Sequence, residues 1–380
     1  MRRVYFDNSA TTPILPEVLA AMQPYFAEQF GNASSIHHHG QETRAAVERA
    51  RASVAALLSC RAPEIVFTSG GTEADNLALF GTVNAGDHVV TSTIEHHAVL
   101  NSCKHLEDEG CELTYVPVDG SGRVDPDDVR RALRPNTRLI SVMMANNETG
   151  VLQPVEEIGR IAAEADLYFH TDAVQAAGKL PIDVEKIGCD LLTISGHKIH
   201  APQGVGALYV RKGARFTPIA FGGHHERDRR PGTENVPGIA GFGGAAELAA
   251  ARLSSDSETI GALRDRLENA VLDGIPGAGV NGSRWNRVPN TSNLYFDGID
   301  GEALTIALDL RGFAVSTGAA CSSGAIAPSH VLTAIGLDAD RARASMRFSL
   351  GRANTAEQVD ALVKALTASV QHLRRISVHA

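Results

Sequence analysis

No stretch of this sequence crowds Lys and Arg together. Its 380 residues carry a net charge of −9, so no nucleic-acid surface is expected. No uninterrupted apolar run is long enough to span a bilayer, and no membrane contact is expected. The opening residues "MRRVYFDNSATTP" hold two arginines but lack the apolar centre of a signal peptide. No CxxC occurs. Five cysteines, Cys60, Cys103, Cys111, Cys189 and Cys321, are an odd number in a long chain. That argues against a disulfide framework and for a reducing, cytoplasmic setting. Internal repeats and low-complexity linkers are missing too. Histidines run together at 37–39, 96–97 and 224–225. Neighbours along a strand point to opposite faces, and no set has metal-ligand spacing, so no metal is expected.

What is present is apolar and ordered. Hydrophobic residues make up 43% of the chain, enough for one large core or two packed domains. Up to about residue 250, strand-like and helix-like stretches alternate, which points to a mostly parallel sheet covered by helices. "EIVFTSGGTEADNLALFG" reads as strand, glycine turn, helix. "DHVVTST" is a short strand and "EHHAVLNSCKHLEDEG" the helix after it. "TRLISVMMANNETG" and "LYFHTDAVQAAG" are strands that end in polar residues. "CDLLTISGHKIHAPQGVGALYVR" reads as two strands joined by a turn rich in functional groups. Beyond the Ala-rich helix "GIAGFGGAAELAAARL" the texture changes to strand–helix pairs, as in "RASMRFSLGRANTAEQVDALVKALTASVQHL". We take this as a smaller α+β domain, with a boundary near residue 255.

The polar residues gather where strands stop, which is where open α/β sheets bind ligands. Lys198 in "SGHKIHAPQG" follows a strand, between Ser195, His197 and His200. Most lysines are merely surface residues. One held at a strand end, with Gly196 allowing close backbone approach, suits a Schiff base with a carbonyl cofactor. Pyridoxal 5'-phosphate (PLP) is the natural candidate, and it makes demands. Its ring nitrogen needs a carboxylate, which Asp172 at the preceding strand end supplies. Gln175, three residues on, reaches the ring's phenolic oxygen. The phosphate needs a helix N-terminus with small residues, and Gly70, Gly71 and Thr72 stand at such a turn. His96, just past another strand, provides a flat partner for the ring. Each feature alone is ordinary: a turn, a cap, a buried histidine. Their succession at neighbouring strand ends is not.

"STGAACSSG" (316–324) places Cys321 among residues too small and polar to build a core around it. Alone, this is as easily a spectator thiol as a reactive one. The other four cysteines sit in ordinary helix or strand contexts and read as buried or incidental.

These motifs, with "YFDNSATTP", "FGNASSIHHHG", "NNETGVLQP", "RPGTEN" and "RFSLGRAN", run nearly end to end. Together they resemble the cysteine desulfurases of the nitrogenase and iron–sulfur-cluster-assembly type, a branch of the class V aminotransferase-like, fold type I PLP enzymes. "SGHK" with "DAVQ" is specific for the broad PLP group. The cysteine loop with "RFSLGR" narrows it to desulfurases.

The resemblance implies an α/β fold with a large domain (15–255) built on a mostly parallel seven-stranded sheet. Residues 1–14 and 256–380 form the smaller α+β domain, which carries a mobile cysteine loop at about 316–327. It also implies roles. Lys198 holds the cofactor and moves the Cα proton. Asp172 pairs with the ring nitrogen. Gln175 and Asn147 border the ring, and His96 stacks on it and, as a catalytic residue, assists proton transfer. Gly71, Thr72, Ser195 and His197 hold the phosphate. Thr233 reaches the phosphate of a neighbouring subunit, which makes a homodimer. Arg347, with Asn147, clamps the carboxylate of L-cysteine through its planar fork. Cys321 takes the sulfur as a persulfide, leaving L-alanine, and passes it to an acceptor such as an iron–sulfur scaffold. A loop of Gly, Ala and Ser suits a thiol that must first reach the substrate and then swing outward. Selenocysteine lyase and PLP aminotransferase are the rival activities on the same fold. A non-catalytic sulfur carrier would need a broken site, yet Lys198 and Asp172 are both present. "APQG" where relatives carry "GPKG", and "SGGTE" where they carry "SGATE", remove no functional group.

Overall fold

The computed structural model describes residues 3–317 and 328–377. Its strands, in chain order, are β1 (Val4–Tyr5), β2 (Ile65–Thr68), β3 (His88–Ser92), β4 (Glu112–Val116), β5 (Thr137–Ser141), β6 (Tyr168–Asp172), β7 (Leu191–Ser195) and β8 (Gly206–Val210), followed by β9 (Ala278–Val280), β10 (Thr291–Phe296), β11 (Phe313–Ala314), β12 (Ser316–Thr317) and β13 (Ser345–Ser349). Seven of them form one sheet in the order β2-β8-β7-β6-β5-β3-β4. Its pairings are parallel except around β8, which runs antiparallel to both β2 and β7.

Apolar neighbours along a strand point to opposite faces, and here both faces are covered. Val90, Ile140, Phe169, Leu192 and Ile194 pack on one side with Val54, Leu58 and Phe242 from two helices. Val89, Leu139, Leu191 and Leu208 pack on the other with Leu77, Val99 and Cys103. This is why "LLTIS" and "HVVTS" are buried at every position and read as continuous apolar runs rather than alternating ones. The strand order reverses beside β3, whose neighbours are β4 and β5. Crevices outside the carboxyl ends of strands open at such a switch point.

A second, antiparallel sheet has the order β12-β13-β10-β9, and β1 pairs in parallel with β11. Their core holds Phe6, Leu294, Phe296, Met346, Phe348, Leu362 and Leu366. One 39-residue helix, Val236–Gly274, joins the two halves. Its start packs Ile239, Phe242 and Ala246 into the large core, and its end packs Leu267 and Val271 into the small one. Residue 255 falls inside this helix. The chain start packs against the second sheet: besides β1, which pairs with β11, Asp7 bridges to Ser349 at the end of β13.

Cys103, Cys111 and Cys189 are buried and Cys60 is half-buried, all as free thiols. Burial pushes Cys60 up to about 12 and raises the others as well. They stay un-ionised. Cys321 lies outside the described residues.

Candidate active site

β7 ends in a single tight turn, Gly196–Lys198. Lys198 Nζ donates to the carbonyls of Ser9 (2.6 Å) and Ala10 (2.7 Å). Those carbonyls belong to the N-terminal segment, which is stitched to the same turn. Thr12 N donates to His197 O at 3.0 Å, and His200 N donates to Thr12 Oγ1 at 2.8 Å. On its other side the segment is tied to β13, where Asn8 Nδ2 donates to Ser349 O and Ser9 N to Ser349 Oγ. The lysine thus stands where both halves of the molecule meet.

It faces a cavity of about 230 Å³. Gly71, Thr72, His96, Asn147, Asp172, Gln175, Ser195, His197, Lys198 and Arg347 all line it. Sequence reasoning singled out each of these. Thr233 does not line this cavity; it stands exposed, three residues beyond an Arg230 that pairs with Glu73 (2.7 Å) on the helix Gly71–Phe80.

Asp172 ends β6 and accepts from Val174 N at 2.8 Å. Burial raises it to about 6, against the pull of that N–H and of Lys198. Asp75 is fully buried in the same wall, and burial together with Asp172 holds it well above the usual carboxylate range. His170, behind them, is held by Ser141 Oγ (2.9 Å) and Thr193 Oγ1 (3.1 Å), and burial pushes it down to about 3. With His170 neutral and Asp75 held well above the usual carboxylate range, Asp172 is the carboxylate that ionises more readily beside a cation.

At the other end, Gly71 begins a ten-residue helix with its N–H groups toward the cavity, next to Ser195 and His197. A side chain on Gly206 would bring its Cβ within 2.7 Å of Gly70 Cα. The turn therefore packs directly against β8 and is fixed in place, as an anion-binding helix start requires.

His96 caps the helix His97–Asp108 by accepting from Ala98 N through Nδ1 at 3.1 Å. Burial, with Lys198 and the neighbouring histidines, pushes it down to about 4. The neutral ring therefore carries its hydrogen on Nε2. Arg347 is buried; Nη1 donates to Asn147 O (2.8 Å) and Nη2 to Asp7 Oδ1 (2.7 Å).

The cavity is unfinished in a particular way. Among the described residues, Asn147 Oδ1, Asp75 Oδ1 and Arg347 Nε are buried without a hydrogen-bond partner. Buried polar groups are ordinarily paired. A small, polar, anionic occupant fits this wall: cationic and N–H groups at one end, a poised carboxylate at the other, and a lysine between.

One neighbour of the site yields a stability prediction. Glu148 is buried, accepts from Ser329 Oγ, and lies close to Arg347. Burial raises it to about 7. Between the ordinary carboxylate range and pH 7 the unfolded chain loses this proton first, while the folded protein still holds it. Stability therefore falls as pH rises through that window, by roughly 3 kcal/mol from this group. Denaturant unfolding of cofactor-free protein at pH 5 and pH 7 should show a smaller decline for Glu148→Gln than for wild type. Equal declines would mean that Glu148 titrates normally.

Sequence reasoning missed Asp7, Ser9, Asp75 and Lys179. Asp7 and Ser9 lie in "YFDNSATTP", a stretch recognised for resemblance but given no role. Asp75 and Lys179 carried no signal beyond their neighbours.

The fold and this lysine-centred cavity define an α/β enzyme that binds a carbonyl cofactor at its strand ends. The chain belongs to the aminotransferase class-V family, which it matches over residues 4–362. It is 49% identical to the protein named cysteine desulfurase IscS of Dictyoglomus turgidum, across 99% of this chain and 96% of that one. To the cysteine desulfurase IscS of Methanosarcina thermophila it is 50% identical, across 99% and 94%. Among solved structures, a NifS-like protein superposes with a TM-score of 0.92 at 38% identity, covering 98% of this chain and all of the other. SspA in complex with cysteine gives a TM-score of 0.82 at 38% identity, covering 91% and 98%. The family is PLP-dependent, so PLP is the cofactor the cavity is built for. No helix among the described residues is long and apolar enough to cross a membrane, and no cluster of His, Cys, Asp and Glu there could hold a metal.

Proposed function

We propose that this chain is a PLP-dependent cysteine desulfurase that converts L-cysteine to L-alanine and carries the sulfur away on Cys321. The observation that carries this reading is the convergence of Lys198, Asp172 and Arg347 on one cavity. They supply an amine for a carbonyl cofactor, a carboxylate for its ring nitrogen, and a guanidinium for an amino-acid carboxylate. Bound PLP supplies an electron sink next to the substrate Cα.

Lys198 would hold the cofactor through its amine and, once free, would serve to move the substrate Cα proton. Its place beside the Ser9 and Ala10 carbonyls gives the released amine acceptors to rest against. Asp172 would pair with the ring nitrogen and favour its protonated form, ionising beside that cation. Gly71, Thr72, Ser195 and His197 hold the phosphate. Gln175 and Asn147 would border the ring, and His96 would stand against it with Nε2–H as a donor. Arg347 and Asn147 orient the substrate carboxylate. The Cys321 thiolate attacks the substrate sulfur from about 3–3.5 Å. An S–S bond forms as the C–S bond breaks, and the electron pair stays with the three-carbon product. That product is protonated and leaves as alanine.

The chain is further proposed to divide into a large domain (15–255) and a small one (1–14 and 256–380). It works as a cytoplasmic homodimer in which Thr233 reaches the other subunit's phosphate. The exposure of Thr233, on a loop anchored to the phosphate helix by Arg230–Glu73, supports that role. The acceptor is a sulfur-receiving protein such as an iron–sulfur scaffold.

The deciding experiment incubates purified protein with L-cysteine, measuring alanine and, without reductant, the mass of the Cys321 peptide. One added sulfur on Cys321 with matching alanine is expected. Cys321→Ser should bind PLP and cysteine yet release no alanine. Substantial alanine from that variant would sink the persulfide route. Glutamate formed from an α-keto acid would point to an aminotransferase, and a heavy preference for selenocysteine to a lyase.

A further inference from the structure

Gln175 has a donor end and an acceptor end of nearly the same shape, and only the donor end can serve an anionic ring oxygen. What decides which end faces the cavity is therefore a question of chemistry rather than packing. Gln175 Nε2 donates to Ser9 O at 2.9 Å. A backbone carbonyl can only accept. On the other side, Lys179 Nζ donates to Gln175 Oε1 at 2.8 Å and to the backbone carbonyl of Gln175 at 3.0 Å. The amide is thus fixed from both ends. Its oxygen is turned to Lys179, one N–H goes to Ser9, and the second N–H is the one an occupant of the cavity can take.

Lys179 is held for this task. Gly178, at φ +69°, turns the chain, and a side chain there would bring its Cβ within 2.8 Å of Ile199 Cγ2. Ser257 Oγ, from the long helix, donates to Lys179 O at 2.8 Å. The side chain lines a smaller cavity of about 50 Å³ whose wall Lys198 shares. The other charged or titratable groups around it are Lys198 and Arg347, and His200, Asp256 and Arg352 in the smaller cavity.

We infer that Lys179 is a positioning residue: it locks the Gln175 amide so that its N–H, and not its oxygen, is presented to the phenolic oxygen of the cofactor. The inference rests on the proposed reading of the cavity as a PLP site with Gln175 at the ring. A donor at that oxygen stabilises its negative charge and lowers the pH at which the yellow lysine-bound cofactor loses its proton. The test is a pH titration of the visible absorbance of the holoenzyme, with no substrate present. In Lys179→Met the midpoint should rise by about one pH unit, the effect of losing a hydrogen bond to a charged acceptor. Lys179→Leu serves the same purpose if Lys179→Met does not fold. Lys179→Arg, which keeps a donor, should restore most of the wild-type midpoint. In a Gln175→Ala background, Lys179→Met should add nothing, because the lysine acts through the amide.

A shift that persists undiminished in that background would make Lys179 a through-space charge and overturn the inference. So would a shifted Gln175→Ala beside an unshifted Lys179→Met, which leaves the ring assignment standing. An unmoved midpoint in Gln175→Ala would remove Gln175 from the ring and end both.

Discussion

Lys198→Ala is expected to abolish covalent attachment of the cofactor and to lower desulfurase activity at least about 1,000-fold, since it removes both the nucleophilic amine and the proton carrier. Borohydride reduction followed by denaturation and mass measurement reads the first effect directly. Wild type should retain the mass of the cofactor on the Lys198 peptide, and the variant should not. Non-covalent binding should survive, because Asp172, the Gly71 turn and Ser195 are built by other elements. Folding should survive too. Ser9 O keeps its bond from Gln175, while Ala10 O loses the bond from Lys198, a loss of about 1 kcal/mol at a partly exposed position. A variant that still fixes the cofactor covalently would move the Schiff base to another lysine. Lys179, pushed down to about 7 by burial with Lys198 and Arg347 adding to it, would be the one to examine.

The ten residues placed in the cavity from this chain all line it; Asn147 and Arg347 came from the resemblance, and the other eight from strand ends and turns, for a physical reason. The inner strands of the sheet are buried on both faces, so they read as apolar runs, and a polar residue at their ends stands out. Ser195, Lys198 and Asp172 are legible because "LLTIS" and "YFHTD" stop there. The Gly71 turn is legible because glycine marks a strand-to-helix junction.

What was not legible is what long-range geometry supplies. Asp7 pairs with Arg347 across 340 positions, and no periodicity encodes such a contact. Lys179 resembles any surface lysine after a turn until Gln175 is seen beneath it. The helix Val236–Gly274 is readable as helix only in its Ala-rich first half. Its middle, "LSSDSETIG", is polar because it crosses between the two cores, and that crossing is why a boundary near 255 does not coincide with a break in secondary structure. The cysteine loop shows the converse. Its composition and its resemblance to desulfurases speak for Cys321, and the described residues say nothing of it.

Arg347 carries the second large expectation. The residue is 1% exposed, with Nη1 on Asn147 O, Nη2 on Asp7 and Nε unpartnered. A planar fork already oriented by two acceptors can take a substrate carboxylate at its remaining N–H without reorganising. Lysine keeps the charge but offers no fork, so it cannot serve Asn147, Asp7 and a substrate together. Arg347→Lys should therefore raise KM for L-cysteine strongly and lower kcat/KM by about 100-fold, the equivalent of roughly 3 kcal/mol. The colour of the bound cofactor should not change. Arg347→Ala is a different experiment. It leaves the half-buried Asp7 carboxylate and the Asn147 carbonyl without that donor, which costs roughly 1–3 kcal/mol of stability for each, so its lost activity would not isolate substrate binding. Asp7→Asn separates the two roles. It keeps an acceptor for Nη2 while removing a competing negative charge, so KM should stay near or below that of wild type. A tenfold rise of KM in Asp7→Asn would mean that the Asp7 charge itself, and not merely an acceptor there, sets the substrate-binding geometry. An unchanged KM in Arg347→Lys would take the substrate carboxylate away from Arg347 altogether.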